Sequence, residues 1–468
     1  MRAIILAALL ASIAIMESSA DGPVENAAAH LFLVVASIFL LFATAHLAAH
    51  ITAAAIRNSA ENHTLWLRLF TVFQHAFTTA WLITIALVFF VADWIPLVRF
   101  NWGWHDWLLV DELILLLPVV IPLIGSWFAR YEVEYALEVV VFTNAGMRPP
   151  APERMQFILL HTRYYLGLTF APLVVLFGLT DFSQWMRWDN GTPLQFLVYL
   201  IPMAVLLVLS PVLLRRIWST ESLPPGPLRE GLTRISTTQQ LNIRDILVWR
   251  TGLYVINAAV AGIVPWCRYL MLSDGLLESL SEKDIRAIFL HEGGHIRRGH
   301  NLLRILVLAT PLLLLISIES FAPEILQAVW SAGKIAGLST NVCTFAILPI
   351  LAVSYGVLVV GGFCRAFELE ADFWACGKIL AGCPTITPAA AEQYSTALLN
   401  LSAASGQDPS KSSWLHPSTQ YRVNFLRCAA RSPKLARQFQ FNMRLLRLGV
   451  LLAVAALPVL LAISTLRG

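Results

Sequence analysis

Apolar runs near 30–56, 69–93, 107–129, 164–180, 194–217, 304–322, 342–363 and 446–466 interrupt a chain of 468 residues. A helix needs about 20 apolar residues to cross the hydrocarbon core of a bilayer, and most of these runs supply them; the fourth is short. In lipid each backbone polar group must find its partner inside its own segment, so helices are the expected solution. Composition agrees, since only 13% of the residues are charged, about half the soluble average. The expected fold is mainly α: a polytopic membrane protein of about eight spans.

The basic residues orient it. Let 57–68, 130–163, 215–304 and 365–447 face the cytosol. Of the 33 Lys and Arg residues, only Arg99, Arg187, Lys334 and Arg467 then fall opposite, with Arg2 at the start of the chain. This is the positive-inside bias, and it starts the first span outside. Residues 1–20 carry Arg2, an apolar run from Ala3 to Met16 and Ser18-Ser19-Ala20, the pattern of a signal peptide or a short anchor. The layout is then that segment, a five-span membrane domain (28–217), a cytosolic segment (218–303), a two-span hairpin (304–363), a second cytosolic segment (364–445) and a final span (446–468). The six cysteines include no C-x-x-C pair, so neither a thiolate metal site nor a redox motif is expected. The expected setting is a bacterial inner or plasma membrane.

The first cytosolic segment contains His291-Glu292-Gly293-Gly294-His295, which reads H-E-x-x-H, in a helix-like run from Ser281 to His300. Residues four apart share a helix face, so both imidazoles can aim at one cation, with Glu292 beside it to take a proton from water. Ser281 is a candidate N-cap, with Glu282 and Asp284 in the first turn; Arg297 and Arg298 precede Gly299 at the other end. Gly293 and Gly294 each cost a helix about 1 kcal/mol against Ala. A strand or a peptide passing close would explain them. Upstream, Pro224, Pro225 and Pro227 mark a linker and 228–240 reads helical. Ile243–Trp249, Leu253–Val260 and Tyr269–Leu272 read as strands. A small sheet packed on the motif helix gives an α+β domain on the cytosolic side. Its edge could take an extended substrate by strand addition.

A site with two His needs a third protein ligand and an open position. Arg365-Ala366-Phe367-Glu368-Leu369-Glu370-Ala371-Asp372 places Glu368 and Asp372 on one helix face. Glu368 is the candidate ligand, and Asp372 the candidate acceptor for the far nitrogen of a ligand His. Glu370 falls on the opposite face and is the weaker candidate. His300 arrives one residue early for an H-E-x-x-H-x-x-G-x-x-H site, and reads as a polar residue supporting the ligands.

His291-Glu292-x-x-His295, two apolar spans and then Glu368-x-x-Ala371-Asp372 resembles the membrane-bound gluzincin peptidases of the HtpX and CaaX-prenyl-protease family. Asn257-Ala258 with Gly262 is similar to the strand before that family's active helix, and Leu276, Leu277 and Leu280, ahead of the helix, look similar to its pattern too. His416-Pro417 with Arg422 resembles its late His-Pro…Arg element. The resemblance covers about 224–430. It implies a zincin-like fold for the α+β domain and one Zn2+ held by His291, His295 and Glu368, with Asp372 orienting a ligand His. It also implies that Glu292 is the general base, that Asn257 and Ala258 lie on the substrate strand, and that His416 and Arg422 either contact the substrate carbonyl or help hold the site. Gly293, usually bulkier, and the five front spans depart from the pattern.

The function expected is zinc-dependent hydrolysis of peptide bonds in membrane or membrane-proximal proteins at the cytosolic face. The partners are a polypeptide and the lipid bilayer, with no nucleic acid. The alternatives are a signal-transducing protease that cuts a cytosolic regulator, and a non-catalytic zinc-stabilised scaffold or transporter. Glu292 argues against the last, because a structural site needs no general base and closes with four ligands. Within the front spans, His46, His50 and His75 read as neutral side chains hydrogen-bonded between helices, with a second metal site or a polar chamber as the other reading. Asp111 and Glu112 read as residues facing other helices.

Overall fold

A computed structural model describes residues 22–58, 63–104, 109–144, 153–186, 193–253, 255–321, 351, 354–380 and 386–465. The expected signal or anchor segment, the turn of the expected hairpin, Cys343 and Cys383 lie outside the described residues. The chain divides into two compact units, Met1–Leu207 and Val208–Gly468.

The first unit is helical: α1 (Ala27–Asn58), α2 (His63–Phe90), α3 (Val110–Leu115), α4 (Leu117–Asn144), α5 (Arg154–Thr162), α6 (Leu168–Trp185) and most of α7 (Pro193–Ile217). Helix α1 packs along α4 and α2. Its buried stripe is Ala45, Ala49 and Ala53, small residues at helical spacing that let backbones approach closely. Trp81 Nε1 donates to the Val119 carbonyl across 2.9 Å, and buried Asp111 pairs with Arg99 at 3.0 Å. The histidines behave differently from expectation. His46 and His75 each turn Nδ1 to a carbonyl of their own helix, at Phe42 (3.0 Å) and Thr71 (2.7 Å). Among the described residues none of the three joins a metal-type cluster. Among the described residues, three helices are long and apolar enough to cross a membrane, at Ala27–Asn58, Thr64–Phe90 and Pro433–Ala456.

The second unit holds a four-stranded sheet and a layer of helices. The strands are β1 (Thr220–Ser222), β2 (Asp245–Trp249), β3 (Ala258–Ala261) and β4 (Tyr269–Ser273), in the order β1-β2-β4-β3. Central β2 and β4 are parallel and β3 runs antiparallel to β4 at the edge. Strand β1, Thr-Glu-Ser, has no apolar alternation that would announce it. The expected strand from Leu253 begins only at Ala258, because Gly252 and Leu253 both take φ of 69°. The turn they make is held by the Asp274 carboxylate, which accepts the N–H groups of Thr251 and Gly252 at 2.9 Å.

Helix α8 (Pro227–Thr238) and α9 (Asp274–Ser279) flank the sheet. The motif helix α10 (Glu282–Arg298) begins where Ser281 Oγ accepts the Asp284 N–H, and ends at Gly299 in the left-handed region, φ 67°. Leu232, Leu270, Leu272, Ile285 and Phe289 share the core between sheet and α10. After Gly299 come α11 (His300–Phe321), α12 (Gly361–Cys376), α13 (Pro388–Ala404), α14 (Thr419–Arg431) and α15 (Pro433–Thr465). Helices α12, α13 and α14 close over the other side of α10 around Ala287, Leu290, Ala375, Tyr394 and Leu426.

The bare backbone at Gly294 faces a helix, and that at Gly293 a loop side chain, rather than a strand or a peptide. A Cβ on Gly294 would sit 2.9 Å from both Cα and O of Ala371 on α12; one on Gly293 would meet Leu241 at 2.9 Å. Helices cross this closely only where one lacks a side chain, and Ala371 lies between Glu368 and Asp372. Gly294→Val should therefore push α12 off α10, cost roughly 1–3 kcal/mol and lower metal retention, read by thermal unfolding and metal content. Wild-type values of both would show that the crossing controls neither.

Candidate metal centre

One face of α10 carries His291 and His295, and one face of α12 carries Glu368 and Asp372. The close crossing brings the faces together. Nε2 of His291 lies 3.2 Å from Nε2 of His295. Glu368 places Oε2 3.3 Å from the first and Oε1 3.4 Å from the second. All three residues are buried. Among the described residues this is the one His, Cys, Asp or Glu cluster with metal-ligand spacing. Ligands about 2.0–2.1 Å from a tetrahedral ion sit roughly 3.3–3.4 Å from one another. The imidazole pair stands at about that edge, as does each imidazole with the nearer of the two Glu368 oxygens, and two imidazoles with one carboxylate leave room for water. The donor set and its spacing fit a tetrahedral cation.

Each ligand is held from behind. Nδ1 of His291 donates to Oδ1 of Asp372 at 2.9 Å, which leaves Nε2 for the metal. Tyr394 donates its hydroxyl to the same oxygen at 2.8 Å, and Arg422 grips Asp372 with Nε at 2.7 Å and a terminal nitrogen at 2.6 Å. Burial alone would lower the His291 pKa; Asp372 and then Glu368 overcome it and raise it to about 10. A proton therefore competes with a cation for this imidazole. Burial pushes His295 the other way, to about 3. Glu368 also faces Arg304, at 3.1 Å from Oε1, and His416, at 3.2 Å from Oε2.

Glu292 is one position on from His291 and donates nothing to the triangle. Its Oε2 accepts the N–H of Val260 on β3 at 3.1 Å. Burial pushes its pKa up to about 7, with the charge of His291 pulling against it. Just before β3, Asn257 turns its backbone inward: its N–H donates to Ser273 Oγ and its carbonyl accepts the Ser273 N–H, both at 3.0 Å. Strand alternation turns the backbone of Ala258 and Val260 to the open edge. Of the expected pair Asn257 and Ala258, then, only Ala258 faces outward.

His291, His295, Glu368, Asp372, Glu292, His416 and Arg422 thus converge, but the last two differ. His416 is 57% exposed and stands at the mouth. Arg422 is spent on Asp372, which gives it a supporting place rather than one at the substrate carbonyl. Tyr394 and Arg304 escaped the sequence reading, and Glu370 entered it only as the weaker ligand candidate. Tyr394 looks like one more core residue of α13, and Arg304 like a flank charge of an apolar run. Glu370 does lie off the ligand face of α12, yet it is buried against His300, Nε2 to Oε2 3.1 Å.

Residues 248–430 match the family model described as peptidase family M48. The crystal structure of S. mikatae Ste24p has a similar fold, with a TM-score of 0.50 and 15% sequence identity, covering 86% of this chain and 100% of that one. No curated protein matches the chain.

Proposed function

Residues 248–430 belong to peptidase family M48 and make the chain a metalloprotease; from that premise we propose a zinc-dependent endopeptidase that cuts membrane or membrane-proximal polypeptides at the cytosolic face of a bacterial inner or plasma membrane. The observation that carries it is the triangle of His291, His295 and Glu368, whose spacing suits one zinc ion with a corner left over. The eight-span layout and the excess of Lys and Arg in alternate loops support the cytosolic placement.

When bound, zinc supplies a Lewis acid that polarises a carbonyl and makes water a stronger acid. The protein does the rest. Asp372 and His300 fix the ligand imidazoles so that each Nε2 faces the triangle. Glu292, anchored through Oε2 to Val260, keeps Oε1 to receive a proton from water and pass it to the leaving amine. The outward backbone of Ala258 aligns an extended peptide along β3. His416, partly exposed beside Glu368, donates to the oxygen that gains charge as the carbonyl is attacked.

The test compares purified wild type with Glu368→Ala, reading metal content and cleavage of an unstructured protein substrate. The variant should lose bound zinc and activity together. Wild-type zinc content in the variant would assign the third ligand to another residue. A metal-loaded wild type with no cleavage would refute the peptidase reading.

A further inference from the structure

The two ligand imidazoles are supported in different ways. His291 is backed directly by a carboxylate. Behind His295 stands a second imidazole: Nδ1 of His295 lies 2.8 Å from Nδ1 of His300, and Nε2 of His300 lies 3.1 Å from Oε2 of Glu370. His300 is fully buried, and its ring stacks on Phe367 at 4.5 Å and 11°. Glu370 is buried too, and its other oxygen faces Arg298 at 3.4 Å and Arg447 at 3.3 Å. Arg447 comes from α15, whose stretch Pro433–Ala456 is apolar enough to cross a membrane.

The protons along this line are fixed by elimination. To bind a metal, Nε2 of His295 must be bare, so the proton sits on Nδ1. That N–H donates to Nδ1 of His300, which must itself be bare, so the proton of His300 sits on Nε2 and donates to Glu370. Glu370 offers Oε2 as the acceptor, while its other oxygen meets the two guanidiniums. Each group has one role that agrees with its neighbours. A buried His and Glu that merely satisfied each other would not need to spend Nδ1 on a metal ligand.

We propose that His300, Glu370 and Arg447 are positioning residues of the metal centre: they hold His295 in its metal-binding tautomer and make metal retention depend on the C-terminal helix. This deepens the reading of His291, His295 and Glu368 as the metal site and rests on it. Orienting partners of this kind change metal affinity by about 10–100-fold.

The experiment measures zinc affinity of the full-length detergent-solubilised protein by competition with a chromophoric chelator, alongside the visible spectrum of the cobalt-substituted form. His300→Phe keeps the stack on Phe367 and removes both hydrogen bonds; it should weaken zinc binding about 10–100-fold and alter the cobalt bands. His300→Gln, which retains one acceptor and one donor, should recover most of the loss. Arg447→Ala should weaken binding several-fold, Arg447→Lys should restore part of it, and Arg437→Ala, an exposed control on the same helix, should behave as wild type. Wild-type affinity in His300→Phe overturns the relay. Wild-type affinity in Arg447→Ala overturns the dependence on α15. If His300→Phe does not fold, Glu370→Gln decides, and unchanged affinity there overturns the proposal. Failure of the underlying site would look different, since wild-type protein would then bind no zinc or His295→Ala would bind it unchanged.

Discussion

Glu292→Gln should leave the metal in place and cut peptide cleavage by about 10²–10⁴-fold. The geometry separates the two outcomes. Glu292 makes no edge of the triangle, so an amide there removes no ligand. Gln keeps the acceptor for the Val260 N–H, which now meets Glu292 at 3.1 Å, so the side chain stays where it is. What disappears is the ability to take a proton. Burial pushes this carboxyl up to about 7, which brings a base close to working pH; a bound cation draws it lower. The reaction needs the deprotonated form. Hence kcat/KM should be full above the pKa and fall tenfold per pH unit below it, and the residual activity of Glu292→Gln should lack this acidic limb. Substantial cleavage by the variant, or an unchanged limb, would take Glu292 out of the proton transfer. Parallel loss of zinc would make it a structural element of the site.

Much of this centre was legible because helices repeat so regularly. His291 and His295 are one turn apart, and so are Glu368 and Asp372, so each pair had to share a face before any coordinates were known. Ser281 and Gly299 bounded the motif helix for equally local reasons. The partners of Asp372 were not legible. Tyr394 and Arg422 come from α13 and α14, and only the packing around Leu290, Ala375 and Leu426 brings them to α10. Arg422 could be noticed as part of a late His-Pro…Arg element, but a charge in a sequence does not say whether it meets substrate or another side chain. Glu370 was set aside for pointing away from Glu368; pointing away is what delivers it to His300. The two glycines signalled a close approach without revealing its source. A helix does that as readily as a strand, and only Ala371 at 2.9 Å identifies it. Strand β3 was placed too early because Leu253 and its neighbours have strand-like side chains, while the positive φ at Gly252 and Leu253 depends on Asp274, far along the chain.

The placement of Arg422 leads to a result that an oxyanion role would not give. Asp372 is completely buried, and burial alone would raise its pKa. Arg422, and then His291, reverse this and hold the carboxyl well below its usual range. Arg422→Met leaves that carboxylate inside the protein without its bidentate partner. Breaking a buried pair from one side costs about 3–5 kcal/mol, which should lower the thermal midpoint by on the order of 10 °C. The sign with pH follows from the linkage. A depressed carboxyl stabilises the fold above its unfolded pKa of about 4, and that contribution is lost as the pH falls. The deficit of the variant should therefore be greatest near neutrality and shrink on acidification, as its stranded carboxyl takes up a proton. Adding Asp372→Asn to Arg422→Met removes the stranded charge, so the double variant should recover much of the stability lost by the single one. The coupling can be read from the complete double-mutant cycle. An Arg422 that served only the substrate carbonyl would slow turnover, leave the melting temperature untouched and show no coupling to Asp372.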